Sequence, residues 1–485
     1  MSNCIVAPDT RTFERFQFTF PEQIESEHFI VHFTTSNADS QFVNEQWLNL
    51  QCNFGYAQSV IELAEYALAI FMEADWEMMP PDCDEGITDE ESPNHCNNFG
   101  GNALYDIYLA NDAVGLVAPE NPYPVEPYIG GFTSFMQVTP LGNEHTFVPD
   151  WSVHVIAHEL HHAIQIRYGT SVSGEPGNYA YNGWLYEQTS TYMENVIFPA
   201  SYHFLVMMGN CNITSPLTYP EISIDSSVDI YQYRSALWQK FLVEAYGDST
   251  INRLIWEGFG LETATGNPVN MFPIYESALQ TVTDGVTTLG DAYQDYALWR
   301  YFTGSRSRPG EFFMQAASYC TANLLAIEET STTFPSEKGG ARLVKLLPYE
   351  TNLVLASSAY DNLLVQHISF SEEDEILMSS IEVNGEESFF QLNNPAGDNH
   401  ALLITSEYTA EPGEEIEFTL ANTVPFMEGD ITGDSMVNVQ DIIVQINIIL
   451  HQIDPTEYQW LAADLDENNV VDVLDVILLV NLILG

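Results

Sequence analysis

Basic side chains are scarce: the 485-residue chain carries 12 Lys+Arg against 69 Asp+Glu, a formal net charge of −57. Such an excess repels phosphate backbones and excludes a nucleic-acid partner. It fits instead a protein that works in salt, where charges are screened over about 8 Å, and that offers carboxylates to calcium. Long apolar runs are missing as well. No stretch of about 18 apolar residues occurs, so no transmembrane helix is expected. Cysteine is limited to Cys4, Cys52, Cys83, Cys96, Cys211 and Cys320, none in C-x-x-C spacing, which argues against a thiolate zinc site. Up to three disulfides are possible, and Cys83 with Cys96, which bracket a polar acidic loop, is the pair we expect. Residues 1–8, M-S-N-C-I-V-A-P, lack a charged n-region and an apolar h-region, as in a mature chain whose signal has been removed or a trimmed one. Against these absences stand 45% hydrophobic and 12% aromatic residues. That content argues for packed domains over the disorder usual in acidic chains, and the length allows about two to four of them.

The most informative stretch is V-I-A-H-E-L-H-H-A-I-Q, residues 155–165. On a helix, residues four apart lie one turn above each other, so His158 and His162 aim two imidazoles at one ion. Glu159, one residue on, points beside that ion, where it can take a proton from water that zinc acidifies to a pKa of roughly 7. Asp150 is the expected N-cap and Gly169 the expected stop. His154 and His158 are also four apart, but Val155 stands where the base is needed; His161 reads as a neighbour packed or solvated beside the site. The bland alternative is a His-rich amphipathic helix. A catalytic zinc needs a third protein ligand and an open position. Glu187, in G-W-L-Y-E-Q-T-S-T-Y-M-E (183–194), is the best candidate. Glu194, on nearly the same helical face, reads either as a residue that holds a ligand histidine from behind or as a plain salt-bridge partner.

These two segments resemble the gluzincins, zinc metallopeptidases whose third ligand is a downstream glutamate. H-E-L-H-H followed by W-L-Y-E is similar to a group of secreted bacterial metallopeptidases of the W-x-x-E type. The resemblance covers residues 28–325, most closely over the two helices. It implies His158, His162 and Glu187 as Zn2+ ligands, Glu159 as base, and a peptide or protein substrate. It departs at Thr191, where some gluzincins carry an acidic residue that orients a histidine. The segment 229–242, D-I-Y-Q-Y-R-S-A-L-W-Q-K-F-L, resembles the helix that bears an oxyanion-stabilising tyrosine. Tyr231 and Tyr233 flank the matching position; small Ser235 leaves room beside Tyr233, and structural packing is open for both rings.

Residues 28–35 and 103–110 alternate as strands, and 49–74 carry a helical period. The run 130–138 stands where gluzincins place the edge strand that pairs with substrate, with a core strand as the alternative. The Pro/Asn-rich 111–128 reads as a loop rimming the cleft, and the chain after residue 187 as helical to about Thr303. From about residue 325 the pattern changes to short strands over 342–347, 352–356, 363–370, 375–383, 388–392, 401–406 and 415–420, with turns at Pro395 and Pro412.

The tail repeats itself. G-D-I-T-G-D-S-M-V-N-V-Q-D (429–441) returns as A-D-L-D-E-N-N-V-V-D-V-L-D (463–475), an offset of 464 − 430 = 34 residues, and each copy runs into an apolar helix. EF-hand loops place oxygen ligands at positions 1, 3, 5, 7, 9 and 12. Here these are Asp430, Thr432, Asp434, the Met436 carbonyl, Asn438 and Asp441, then Asp464, Asp466, Asn468, the Val470 carbonyl, Asp472 and Asp475, for two Ca2+ ions. The duplicated loop and helix, with the final N-L-I-L-G, resemble a type I dockerin, which implies a cohesin-bearing scaffold as partner. The protein's own β module is the competing partner. Thr432 is a poor ligand and Ser435 and Asn469 replace the turn glycine, so the first site should bind weakly. Residues 473–484, apolar almost all round, call for burial against the other repeat or a partner.

The expected class is multidomain α+β. It comprises an N-terminal segment 1–27, a zincin-like metallopeptidase domain 28–325, a β-sandwich-like accessory domain 326–425 and a small α-helical calcium-binding dockerin-like domain 429–485. The expected function is a secreted or extracellular zinc peptidase, cell-surface associated through its tail. The alternative is a non-catalytic structural or adhesive surface protein with a stabilising metal.

Overall fold

Aromatic and β-branched runs near the N-terminus build the first sheet. The computed structural model describes residues 15–43, 46–83, 95–96, 101–110, 115–169, 179–199, 202–263, 269–327, 332–337, 339–347, 350–358, 360–371, 375–392, 399–406, 415–422, 427–433, 436–455, 457–466, 468 and 470–484. It falls into two compact units: Met1–Tyr219 with Ser223–Ala292 and Trp299–Ala322, and Pro220–Ile222 with Tyr293–Leu298 and Asn323–Gly485.

In the first unit, β1 (Glu22–Glu25) pairs with β2 (Phe29–Phe33), whose F-I-V-H-F is buried at four of its positions, as an interior strand should be. A ribbon of β3 (Ser40–Val43) and β4 (Gln46–Asn49) leads to α1 (Phe54–Glu73). The helix starts later than its period implied, because the Asn53 side chain accepts from the Gly55 amide and fixes the N-cap there. The sheet is completed by β5 (Tyr105–Tyr108), β6 (Gly115–Pro122) and β7 (Phe132–Val138), in the order β1-β2-β5-β7-β6.

That order corrects two expectations. The strand at Phe132–Val138 is interior, parallel to β5 on one side and antiparallel to β6 on the other. The edge is β6, inside the stretch read as a loop. Pro119 and Pro122 masked it in the sequence, yet an edge strand tolerates proline because its outer amides have no partner, and the register shifts between those two residues.

Eight helices follow: α2 (Val153–Tyr168), α3 (Tyr179–Ile197), α4 (Tyr202–Gly209), α5 (Tyr231–Arg234), α6 (Ala236–Tyr246), α7 (Ile251–Thr263), α8 (Met271–Val282) and α9 (Leu289–Tyr301). Helix α2 lies against α1, β6 and β7 and is buried from Val155 through Tyr168, so it is not amphipathic. Its N-cap is Ser152, not Asp150, and it stops at Gly169. Cys83 is bonded to Cys96 as expected; Cys211 is bonded to Cys320; the Cys52 thiol is free and buried, which pushes its pKa up to about 12. Cys4 lies outside the described residues.

In the second unit, β8 (Leu325–Ala326), β9 (Thr332–Glu337), β10 (Ala341–Leu346), β11 (Asn352–Ala356), β12 (Leu363–Phe370), β13 (Leu377–Ile381), β14 (Glu387–Gln391), β15 (Asn399–Ser406) and β16 (Glu415–Asn422) form two sheets, β13-β12-β15-β10-β8 and β14-β11-β16-β9. Leu353, Leu355 and Leu420 from one sheet join Val344, Leu346, Val365, Leu402 and Ile404 from the other in a single core. β8 and β9 had no strand signal in the sequence. The turns at Pro395 and Pro412 lie outside the described residues. The tail holds α10 (Val439–Ile449), α11 (Glu457–Ala463) and α12 (Val473–Leu484), packed round Ile431, Ile448, Ala462, Ala463 and Leu479. Burial of α12 is one-sided: Leu479 faces this core while Leu474, Ile477 and Leu482 are exposed.

Candidate metal centre

Helices α2 and α3 bring His158, His162 and Glu187 together. Their donor atoms lie within 4.8 Å of one another. Nε2 of His158 is 3.1 Å and Nε2 of His162 3.4 Å from Oε2 of Glu187, with the two rings nearly perpendicular. A tetrahedral site with bonds of about 2.1 Å has donors about 3.4 Å apart, so the two distances to Glu187 are compatible with a four-coordinate metal site. The protonation pattern agrees. Nδ1 of His158 donates to Oε1 of Glu194 (2.7 Å), and Nδ1 of His162 donates to Oε1 of Gln165 (2.7 Å). In neutral imidazoles this turns both Nε2 lone pairs toward a carboxylate oxygen. With both imidazoles neutral, three acceptors would converge in a buried place, which a cation would reconcile, and the donor set fits zinc.

Burial raises the carboxyl pKa of Glu187, but His162 and His158 outweigh it and hold Glu187 below the ordinary carboxylate range. For Glu194, burial is again outweighed, by His203, His154 and the hydrogen bonds from His158 and His203, so the carboxyl stays well below that range. Glu194 hydrogen-bonds Nδ1 of His158, a contact that fits both roles its spacing left open, and Thr191 is buried.

Glu159 is fully buried, and its carboxylate packs against Gly115 at the start of the edge strand β6, where any Cβ would collide with it. Tyr233 lies beside the centre with its ring stacked on that of His158 at 6.0 Å. Tyr231 is buried, 1% exposed. Ser235 is buried and accepts from Nε2 of Gln188, so it braces α3. His161 is packed, not solvated, between Phe71 and Trp76; burial first, then His162 and His158, push its pKa well below the ordinary value. Sequence reasoning missed Gln165 and Ser190, both within hydrogen-bond reach of Nδ1 of His162. Gln165 had a signal, three residues after His162 on one helical face; Ser190 comes from another helix and had none.

The tail builds its loops symmetrically. Oδ2 of Asp441 accepts from the Asn438 amide at 2.8 Å, and Oδ2 of Asp475 from the equivalent Asp472 amide at 2.7 Å. Asp430, Thr432 and Asp441 meet in the first loop, with the Thr432 hydroxyl donating to Oδ1 of both aspartates. Asp464, Asp466 and Asp475 meet in the second, within 4.8 Å, and the Asn468 amide donates to Asp464 and Asp466. Asn438 and Asp472 each spend a side-chain oxygen on the amide of Gln440 or Leu474, capping α10 and α12. Met436 and Val470 are exposed. Asp434, Ser435 and Asn469 lie outside the described residues.

Residues 146–275, which include the candidate metal centre, match a family of unknown function (DUF6055). No curated protein matches the chain. Among the described residues, no helix is long and apolar enough to cross a membrane. Residues 428–484 match the dockerin type I domain. The chain therefore ends in a dockerin type I domain, a calcium-binding module that attaches proteins to cohesins.

Proposed function

We propose that the first unit is a zinc-dependent peptide hydrolase, delivered to a cohesin-bearing scaffold outside the cell by its dockerin domain. The observation that carries the reading is the convergence of His158, His162 and Glu187, with Glu159 on the same helix as the two histidines and held against Gly115 of the edge strand. His158, His162 and Glu187 would hold the ion, which would supply Lewis acidity there. Glu159 takes the proton of the attacking water and returns it to the leaving amine. Tyr233 donates to the oxyanion, worth a few kcal/mol in the transition state. Glu194 and Gln165 fix the two imidazole tautomers. The outer amides and carbonyls of β6 offer an extended peptide a strand to pair with.

The second reading, a structural or adhesive protein with a stabilising metal, is favoured by burial: the three donors are 6% exposed or less. Cleavage of casein or a peptide library separates the two. The zinc-loaded protein should cleave, and Glu159→Gln, with zinc content unchanged, should lose at least about a hundredfold in kcat/KM. Equal activity of the variant would end the enzymatic account.

On the tail, Val439, Ile443 and Ile446 of α10, its C-cap Leu450, and Leu474, Ile477 and Leu482 of α12 are exposed apolar residues. These faces supply the contact for a cohesin.

A further inference from the structure

Behind the candidate metal centre, three helices deliver three more donors. His154 comes from the first turn of α2, Glu194 from α3 and His203 from the start of α4, with one donor atom of each within 4.8 Å of the others. Nδ1 of His203 is 2.6 Å from Oε2 of Glu194, the oxygen that Glu194 does not give to His158. The rings of His154 and His203 are stacked, 4.1 Å between centroids and 15° from parallel. Nδ1 of His154 is buried and has no hydrogen-bond partner.

We propose that His154, Glu194 and His203 form a second transition-metal site, separate from the one at His158, His162 and Glu187. Two imidazoles in face contact cannot both carry a proton cheaply, and a buried nitrogen without a partner is left desolvated and uncompensated. A divalent cation removes both costs, since neutral imidazole and carboxylate are good ligands for zinc, copper, nickel and cobalt. The His203 side chain is 25% exposed, which gives the ion a route in and leaves a place for water. Glu194 makes the two sites communicate. With one oxygen on the second ion and the other on Nδ1 of His158, its basicity toward His158 falls when that ion is bound.

The test is zinc stoichiometry of the full chain, stripped of metal, saturated with calcium and dialysed against zinc, with a cobalt(II) absorption spectrum as second readout. The wild type should hold two zinc ions. His203→Asn and His154→Gln, chosen to keep the packing, should each hold one, with circular dichroism matching the wild type. His162→Ala should also hold one, and His162→Ala combined with His203→Asn none. One ion in the wild type that disappears in His203→Asn but survives His162→Ala supports this site and sinks the proposed hydrolase. A stoichiometry and cobalt spectrum that His203→Asn and His154→Gln leave unchanged overturn the second site.

Discussion

At Glu194 one carboxylate serves two imidazoles, Oε1 on His158 and Oε2 on His203. Residues that hold a metal-binding histidine from behind typically contribute 10- to 100-fold to affinity. Glu194→Ala should therefore weaken zinc binding at the first centre by about 10- to 100-fold, read by competition with a chromophoric chelator; an unchanged affinity would reduce Glu194 to a salt-bridge partner. Gly115 makes a complementary case. A methyl group there meets the Glu159 carboxylate, so Gly115→Ala should lower peptide cleavage while zinc content stays constant. The ligand motif was legible because helical periodicity alone places His158, Glu159 and His162 on neighbouring turns. Gly115 and Ser190 were not, since their relation to the centre exists only after a strand and a second helix pack on α2.

Among the elements, the strands of the second unit were the most legible. β11 and β12 begin and end where the alternation of Asn352–Ala356 and Leu363–Phe370 does. β6 was hidden by its prolines, β9 by Pro335, and β8 by being two residues long. β12 and β15 also bury a titrating pair. Nε2 of His367 donates to Nδ1 of His400, whose Nε2 donates to the Leu347 carbonyl. Burial, then His400, pushes His367 down to about 4 from its ordinary 6.5; burial lowers His400 as well, against the Leu347 carbonyl. The folded state keeps both neutral while the unfolded chain takes up protons below about 6.5, so stability is complete above that pH and is lost as the pH falls toward 4. Denaturant midpoints between pH 7 and 4 should decline, and His367→Gln should flatten the decline; an equal slope in the variant would remove this pair as its cause.

The tail is the element most dependent on an ion. Among its described residues the core is small, with Ile431, Ile448 and Leu479 buried and Val437, Ile442 and Tyr458 among the half-buried side chains around them, and modules of this size usually lean on a bound metal. The fully buried carboxylates of Asp441 and Asp475 need a cation beside them. Removing calcium with EGTA should raise amide exchange across 430–441 and 464–475 and abolish cohesin binding, and both should return when calcium alone is added back. Unaltered exchange with and without calcium would contradict the assignment of these loops.

Over the whole molecule, the net charge of −57 sets the response to salt. Self-repulsion between carboxylates is screened as ionic strength rises, so Tm should climb between about 50 and 500 mM NaCl at fixed calcium. A Tm that stays flat would mean the charges are already balanced by bound cations. The repeated tail was legible from the 34-residue spacing of its acidic loops, 464 − 430. The sheet order was not, because strand pairing is settled by contacts far apart in sequence. Everything catalytic in this account rests on one ion in the first unit. Anomalous diffraction at the zinc edge from zinc-loaded crystals tests it most directly. The account predicts a peak about 2.1 Å from Nε2 of His158, Nε2 of His162 and the Glu187 carboxylate. Density at that edge with no peak among these three side chains would contradict it.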